Sequence, residues 1–412
     1  MTEKSHIFAK FARHVSSGKV TFFQENGIDF VFGRREGPYV WDIDGSRRLY
    51  DCHCNGGVFN LGHRHPRIVQ ALQEALHSLD IGNHHFVSKQ RALLAERIAA
   101  LTPGDLQYTV FGVSGGEAID TAIKIARKAT GRRKVITAVG AYHGHTGLAV
   151  AAGEPRFSVP FHSDSPDFIR IPFNDLQALE KALSSEIAAV LLEVIPATLG
   201  MPIPDADYFT AVKELCAQHG ALFIADEVQT GLGRTGTLWG IEQFHTVPDI
   251  LVSAKGLSGG LYPITATVIT AELERVFHDD PFSHISTFGG SELGCMVALE
   301  VLNLTAASGF LEQVHALARL FDHHLNRLRE AFAPLFMEVR QKGLMIGLKF
   351  ADDRVGPMMT RACFEAGLLC VFAANDPSVV QFLPPLILTQ EQALEIIERL
   401  EQALTLVQQW IP

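Results

Sequence analysis

Long runs of one residue class are missing from this 412-residue sequence. Lysine and arginine form only short runs and the net charge is −10, which argues against nucleic acid as a partner. No uncharged apolar stretch reaches about 18 residues, so the sequence predicts no membrane span. The first twenty residues lack the continuous apolar core of a secretion signal, which favours a cytoplasmic protein.

Cysteine is scarce, and its spacing does not suggest a disulfide framework. The six cysteines are scattered along the chain, which suits reduced thiols. Neither a CxxC pair nor two histidines four residues apart occur, so the sequence argues against a zinc site. With 47% hydrophobic and 19% charged residues, the chain has enough apolar side chains for a large core, and small molecules are its expected ligands.

Short apolar runs alternate with helical patterns in the middle of the chain, which predicts βαβ units and a mainly parallel sheet. In such sheets ligands bind beyond the carboxyl ends of the strands, so Glu193, Asp226 and the segment after Ser253 are expected near a site. The predicted strands are Val135–Val139, Ala189–Glu193, Ala221–Asp226, Ile250–Ser253 and Ile264–Ile269.

The two ends of the chain have a different pattern. Turn signals separate short β-like pieces within the first 50 residues, including Tyr39–Trp41. Beyond residue 305 the pattern predicts a long helix from Gly309 to Phe332, a strand at Leu344–Phe350 and a helix after Thr389. The prediction is a large α/β domain over residues 61–304, flanked by a smaller α+β domain built from residues 1–60 and 305–412.

Two charged residues follow apolar strands. Lys255 lies among small residues after Ile250–Ser253, where a lysine is costly unless its ammonium is paired or its amine reacts covalently. The alternative is a lysine whose ammonium reaches the surface. Asp226 ends another apolar strand and needs a cation or a strong donor, such as a protonated ring nitrogen, although an aspartate that caps the next turn fits equally.

A phosphate cradle is suggested by the segment Gly112-Val-Ser-Gly-Gly-Glu117. Its glycines allow close approach of the backbone, and Ser114 with Glu117 forms a capping-box pattern at the start of a helical pattern. Free N–H groups and the positive end of a helix dipole favour a dianion there. Any capped helix shows the same local pattern.

Taken together and in order, these segments resemble the class III (ornithine/4-aminobutyrate-type) aminotransferases, which depend on pyridoxal 5'-phosphate (PLP) and have PLP fold type I. The resemblance spans nearly the whole chain. Its motifs are Asn60-Leu-Gly-His-Arg-His-Pro66, Ser114-Gly-Gly-Glu-Ala118, Ala141-Tyr-His-Gly144, Asp226-Glu-Val-Gln-Thr-Gly-Leu-Gly-Arg-Thr-Gly236, Lys255, Ser286-Thr-Phe-Gly-Gly290 and Phe382-Leu-Pro-Pro385.

The resemblance implies a role for each matching residue. Lys255 matches the Schiff-base lysine that also moves the substrate proton, and Asp226 matches the carboxylate on the pyridine nitrogen. Thr287 matches a threonine that reaches the phosphate of the neighbouring subunit, which implies a homodimer with its active site at the interface. The other implied cofactor contacts are Ser114, Gly115 and Gly116 at the phosphate, Tyr142 on the ring face, Gln229 at the ring hydroxyl, and His143, Glu193 and Val228.

Two departures from the family pattern concern the substrate. Many members have an arginine for the substrate α-carboxylate where this chain has Gln381, and a glutamate that pairs with that arginine where it has Thr198. The expected function is an aminotransferase acting on a small amine or amino acid and an oxo acid. The alternatives are a PLP-dependent ammonia lyase or phospho-lyase, an epimerase or aminomutase, and a catalytically inactive PLP-binding protein.

The entrance segments 52–59 and 82–86 are a third departure, because they are rich in histidine and thiol. His53, His84 and His85 either bind an anionic group or move protons near neutral pH, or they pack as ordinary hydrogen-bonded side chains.

Overall fold

The computed structural model describes residues 2–411, so both outer ends of the predicted small domain, positions 1 and 412, lie outside the described residues. The α-helices are α1 (Glu3–His14), α2 (Ser17–Glu25), α3 (Cys54–Gly57), α4 (Pro66–Ala75), α5 (Lys89–Ala99), α6 (Gly115–Thr130), α7 (Gly147–Ala152), α8 (Pro155–Ser158), α9 (Leu176–Ala182), α10 (Tyr208–His219), α11 (Ala271–Glu274), α12 (Glu292–Thr305), α13 (Phe310–Ala331), α14 (Val355–Glu365) and α15 (Gln390–Trp410).

The strands are β1 (Phe32–Glu36), β2 (Tyr39–Asp42), β3 (Arg48–Asp51), β4 (Leu106–Gly112), β5 (Lys134–Ala138), β6 (Phe168–Ile171), β7 (Ile187–Glu193), β8 (Leu222–Asp226), β9 (Ile250–Ser253), β10 (Thr265–Thr270), β11 (Phe336–Lys342), β12 (Met345–Phe350), β13 (Leu368–Leu369), β14 (Val371–Ala373) and β15 (Asp376–Phe382). Short 3₁₀ helices cover Val159–Phe161, Gly240–Phe244, Lys255–Ser258 and Arg275–Phe277.

A seven-stranded sheet in the order β4-β10-β9-β8-β7-β5-β6 forms the centre of the molecule. The pairs from β9 to β6 are parallel, whereas β10 is antiparallel to both of its neighbours. The mainly parallel sheet predicted from the sequence is therefore confirmed. The reversal at β10 follows from the short connection after β9, which holds no crossover helix of the kind that joins parallel neighbours.

Helices cover both faces of this sheet. One apolar cluster joins it to α5, α10 and α12, and a second joins its other face to α6 and α7. Burial on both faces explains why the inner strands are continuous apolar runs. The unpredicted strands β4 and β6 lie at the two edges, where their partly exposed residues carry a weaker apolar signal.

Segments from the two ends of the chain form the remaining sheets. Strand β13 extends the sheet β1-β2-β3 by pairing parallel to β3, and β11, β12, β15 and β14 form the other four-stranded sheet. Tyr50 and Cys52 share an apolar cluster with α13, α14 and α15. The two helices and the one strand predicted beyond residue 305 are found within a few residues of their expected bounds.

Between residues 2 and 411, no single helix combines the length and hydropathy needed to cross a membrane. The pair α12 and α13 meets both criteria only when joined across a bend of 66°.

Candidate active site

A cavity of about 360 Å³ opens at the carboxyl ends of β7 and β8, beside the segment that follows β9. This is the edge of the sheet where the sequence placed the site. The cavity collects all the predicted site residues except Thr287, namely Ser114, Gly115, Gly116, Tyr142, His143, Glu193, Asp226, Val228, Gln229 and Lys255.

Lys255 begins the 3₁₀ turn after β9 and has a positive φ of 44°, which is uncommon outside glycine. Its Nζ donates a hydrogen bond to Gln229 Oε1 at 2.8 Å. Burial lowers the pKa of Lys255 below its ordinary value, although the charges of Asp226 and Glu193 partly offset this effect. A lowered pKa increases the fraction of neutral, nucleophilic amine near pH 7.

Asp226 and His143 form a buried pair on the cavity wall. Asp226 Oδ2 lies 2.7 Å from His143 Nδ1, and Oδ1 accepts the Val228 N–H at 3.0 Å. Burial alone would lower the pKa of His143, but the hydrogen bond and charge of Asp226 outweigh it and raise the pKa. His143 Nε2 is buried and has no hydrogen-bond partner among residues 2–411.

Glu193 lies at the end of β7, opposite Asp226 in the register of the sheet. Its Oε1 accepts the N–H of Tyr142 at 2.9 Å, which ties the loop after β5 to the sheet. Burial raises the pKa of Glu193 to about 7, and Asp226 also contributes to the rise while His143 opposes it. Tyr142 packs edge-on against His145 and Phe157, with its ring at the cavity wall.

The N-terminus of α6 forms the cradle expected from the sequence. Ser114 is the N-cap and its Oγ accepts the Glu117 N–H at 3.2 Å. The reciprocal capping box is not formed, because the Glu117 carboxylate reaches back one residue further and accepts the Val113 N–H at 2.7 Å. A Cβ at Gly116 would lie 2.6 Å from Thr146 Oγ1, and one at Gly115 would lie 3.3 Å from Val228 Cγ1.

Several lining residues were not anticipated from the sequence: Gly144, His145, Thr146, Ile195 and Thr230. The repeat His143-Gly-His145 directly after Tyr142 was a usable signal for His145. Nothing in the local sequence marks Thr146, which becomes part of the wall because α7 packs against α6.

The structure does not bring every expected residue to this cavity. Thr287 is exposed in the loop before α12, and Gln381 is buried in β15 between Gly347 and Val371. Thr198 also lies outside the cavity, with a buried Oγ1 that has no partner in the described part of the chain. His84 and His85 pack against each other in a surface loop, with ring centroids 4.1 Å apart.

A model of the aminotransferase class III family matches residues 23–404. The chain belongs to this family. An "uncharacterized aminotransferase" from Archaeoglobus fulgidus is 53% identical over 406 residues, which cover 98% of this chain and 95% of the relative.

Solved structures agree with this assignment. The ornithine aminotransferase from Toxoplasma gondii superposes with a TM-score of 0.91 at 28% identity and covers 100% of this chain and 97% of its own. The taurine:2-oxoglutarate aminotransferase from Bifidobacterium kashiwanohense, solved with PLP and glutamate, has a TM-score of 0.86 at 26% identity, with coverage of 92% and 93%. The predicted PLP fold type I is confirmed.

PLP fits the residues of the cavity. Asp226 offers a buried carboxylate for a protonated ring nitrogen, and Gln229 Nε2 is a buried donor without a partner among the described residues. Gly115 and Gly116 carry no Cβ, and a Cβ at either position would lie within 3.3 Å of a neighbouring side chain. The backbone N–H groups at the helix N-terminus are therefore open to a phosphate. This aminotransferase therefore uses PLP to move an amino group between an amine or amino acid and an oxo acid.

Proposed function

We propose that Lys255 is the lysine that holds PLP in this aminotransferase, that Asp226 binds the pyridine nitrogen, and that a homodimer completes the site. The observation that carries the proposal is the convergence of the Lys255 amine, the buried Asp226 carboxylate and a glycine-lined helix N-terminus on a single cavity. Bound PLP withdraws electrons from the amine-bearing carbon of the substrate, which makes a proton on that carbon removable.

Lys255 is the group that takes this proton and returns it. Its lowered pKa increases the share of neutral amine that can accept a proton, and the hydrogen bond to Gln229 Oε1 holds Nζ inside the cavity. The small residues around Lys255, including Gly56 beside its Nζ, leave room for the movement of the side chain.

Asp226 supplies a fixed negative charge opposite the lysine. His143 Nδ1 and the Val228 N–H occupy one oxygen each, so the carboxylate is oriented before a ligand binds. A carboxylate in this position keeps a proton on the ring nitrogen. Tyr142 would support the ring face, Gln229 Nε2 would donate to the ring hydroxyl, and the N–H groups at Ser114–Gly116 would bind the phosphate.

The first test mixes holoenzyme with a panel of amines and amino acids in the absence of any oxo acid. The absorption spectrum of the cofactor and the release of free ammonia are recorded together. We expect stoichiometric conversion of the cofactor to its amine form without ammonia. Continuous ammonia release with an unchanged spectrum would contradict amino-group transfer and favour the lyase alternative.

The substrate-binding side of the site supports donors other than ordinary α-amino acids. Gln381 is neutral and buried in β15, so it offers no guanidinium to an α-carboxylate. Thr198 likewise lacks the carboxylate that pairs with this arginine in many members of the family. A donor without an α-carboxylate is consistent with both positions.

The loop that contains Thr287 supports the homodimer. It presents Phe282, Ile285 and Phe288 to solvent beside the loop of Phe86 and Val87. Arg91 joins the two loops by donating to Gly290 O and to Phe86 O. A contiguous exposed apolar patch of this kind is typical of a protein interface, and it would carry Thr287 into a neighbouring subunit.

Mixing two variants tests whether Thr287 acts across the interface. Lys255→Ala lacks the proposed lysine, and Thr287→Ala should hold PLP weakly. In a mixed dimer, one site combines the intact Lys255 with the intact Thr287. We expect the activity at low PLP concentration to rise above that of either variant after subunit exchange. Activity equal to the average of the two variants would contradict a shared site.

We also propose that the chain divides into a domain of residues 61–304 and a smaller domain built from residues 1–60 and 305–412. A further proposal is that the protein is located in the cytoplasm. The pairing of β13 with β3 supports a small domain that joins both ends of the chain. Limited proteolysis, with the cut sites mapped, tests the boundaries, and cell fractionation tests the location.

A further inference from the structure

A buried arginine lies outside the Lys255 cavity and has no direct part in the chemistry of the site. The side chain of Arg234 is 0% exposed and is among the largest fully buried side chains of the chain. It does not line the cavity. A guanidinium is costly to bury unless its N–H groups are hydrogen-bonded, so the groups that it bonds show what it holds together.

The guanidinium of Arg234 joins three segments that are distant along the chain. Nη1 donates to Leu344 O at 3.0 Å and to Pro384 O at 2.7 Å, just before β12 and just after β15. Nε and Nη2 both donate to Asn60 Oδ1, at 3.2 and 2.7 Å. Arg234 O also accepts the Leu344 N–H at 2.9 Å. The side-chain amide of Asn60 is therefore fixed to the C-terminal part of the chain through one side chain.

Asn60 packs against the backbone around Lys255. It is buried, and a Cβ on Gly256, the residue after Lys255, would lie 3.2 Å from Asn60 Nδ2. A Cβ on Gly57 would lie 3.4 Å from Asn60 Oδ1 and 3.6 Å from Gln229 O. Gln229 Oε1 in turn accepts the hydrogen bond from Lys255 Nζ at 2.8 Å. The amide of Asn60 thus lies between the arginine and the residues that hold the lysine.

The backbone at Lys255 depends on its surroundings for its conformation. Lys255 has a φ of 44°, and Ala254 before it has a φ of −155° and a ψ of −146°. A positive φ at a residue other than glycine is strained and persists only where neighbouring groups hold it. Within the turn, the Leu257 N–H donates to Ala254 O at 3.0 Å and Ser258 Oγ donates to Lys255 O at 2.6 Å. Packing from outside the turn, such as that of Asn60, adds to this restraint.

We infer that Arg234 is a positioning residue that, through Asn60, holds the Lys255 turn and keeps Nζ where it takes the substrate proton. The inference rests on the proposed function of Lys255. Lysine cannot replace the arginine here, because one ammonium lacks the planar fork that reaches Asn60 Oδ1 and two backbone carbonyls at once. Arg234→Lys keeps the charge and loses this geometry, which makes it the variant to test.

A double-mutant cycle tests whether Arg234 acts through Lys255. Arg234→Lys is made in the otherwise unchanged protein and in Lys255→Ala, and methylamine is added to every sample as a small-molecule proton acceptor. In the protein that has Lys255, Arg234→Lys should slow the amine half-reaction by about 10–100-fold, because a small misplacement of a catalytic group is costly. In Lys255→Ala it should change the remaining rate by less than about twofold. Equal loss in both backgrounds would overturn the inference.

Hydrogen exchange in the cofactor-free protein gives a measurement that is independent of turnover. Arg234→Lys should speed exchange of the backbone N–H groups over residues 254–260 by about tenfold, because the turn opens more often. Arg170→Lys is the matched control, since Arg170 is partly buried and also donates to two backbone carbonyls, Gly153 O and Ala151 O. The control should leave this exchange unchanged. Equal exchange in the two variants would overturn the inference.

If Arg234→Lys does not fold, as judged by its thermal transition, Asn60→Ser replaces it in both measurements. Serine is shorter, so it withdraws the amide from Gly256 and leaves room for water at the guanidinium. The half-reaction should slow and the exchange over residues 254–260 should rise, as for Arg234→Lys. Unchanged values of both would overturn the inference.

The outcomes separate this inference from the proposed function. Near-normal rates for Lys255→Ala would refute the proposed function, and the inference would fall with it. A large loss in Lys255→Ala, together with equal effects of Arg234→Lys in both backgrounds, would overturn the inference alone. A lower thermal transition for Arg234→Lys with an unchanged half-reaction rate would assign the arginine to stability only and would also overturn the inference.

Discussion

The cavity places one lysine near two carboxylates, yet burial has the larger effect on the pKa of the lysine. Asp226 and Glu193 favour the ammonium form of Lys255, but desolvation of the amine is the larger effect. The same desolvation raises the pKa of Glu193 to about 7. Burial thus shifts both groups toward their neutral forms, while the hydrogen bond and charge of Asp226 raise the pKa of His143.

Replacement of Lys255 tests the proposed covalent and proton-transfer roles. Lys255→Ala should lose the absorption band of the lysine-bound cofactor and lower the rate of the amine half-reaction by at least about 10²–10⁴-fold, because the proton acceptor is absent. Lys349→Ala is the control, since Lys349 pairs with Asp376 outside the cavity. Near-normal rates for Lys255→Ala would refute the assignment.

Replacement of Asp226 tests its placement at the ring nitrogen. Asp226→Asn keeps the size of the side chain but removes the charge, so the lysine linkage should form while the half-reaction slows by about 10²–10³-fold. The pKa of His143 should fall, because the hydrogen bond and charge of Asp226 are the main causes that raise it. The rate is followed by stopped-flow absorbance and the histidine by NMR titration. An unchanged rate would mean that another carboxylate holds the ring.

Glu193 should make the stability of the cofactor-free protein depend on pH. Its folded-state pKa of about 7 exceeds the ordinary value of 4.5, so its contribution is fully present below pH 4.5 and is lost as the pH rises through 7. Glu193→Gln should therefore make the free energy of unfolding fall less steeply across this window. Urea unfolding of both proteins at several pH values measures the slopes, and parallel slopes would contradict the raised pKa.

At the level of single elements, the start of α6 depends on two glycines with unequal surroundings. A Cβ at Gly116 would meet Thr146 Oγ1 at 2.6 Å, whereas one at Gly115 would meet Val228 Cγ1 at 3.3 Å. Gly116→Ala should displace the cradle and raise the Kd for PLP more than Gly115→Ala does. Equilibrium dialysis with PLP measures both constants. Equal values would show that the contact at Thr146 relaxes freely.

Element prediction from the sequence was most successful where burial is greatest. Strand β9 matches its predicted bounds, and β7 and β8 end at their predicted residues Glu193 and Asp226. Edge strands β4 and β6 were missed, because exposure weakens the apolar pattern. The direction of β10 is also absent from the local pattern, since periodicity reports which face is buried and not which way a strand runs.

For the whole molecule, the exposed apolar patch predicts association into dimers. Val87 is fully exposed and Phe288 is 56% exposed. Val87→Lys with Phe288→Lys should shift the protein toward monomers and lower activity with it, because a buried lysine at an interface is unfavourable. Met337→Lys, at an exposed apolar position on β11, is the control. Sedimentation velocity gives the mass; an unchanged dimer would place the interface elsewhere.

The sequence by itself determined the family, the cofactor and most residues of the cavity. It did so because those residues occur in short contiguous motifs at strand ends and at a helix start. In such motifs the residue types and their spacing indicate the chemistry without knowledge of the fold. Ten neighbouring wall positions such as Ser114 and Gln229 could thus be assigned without coordinates, and the structure brings them together.

Only the tertiary structure decided the contacts between segments that are distant along the chain. It placed His143 on Asp226, packed Thr146 against Gly116, and brought the loop of Gly56 to Lys255. It also revealed the apolar cavity between the first two helices and strands β1, β3 and β13. These features depend on how helices and sheets pack, and packing is set by the sum of many weak contacts that no single segment encodes.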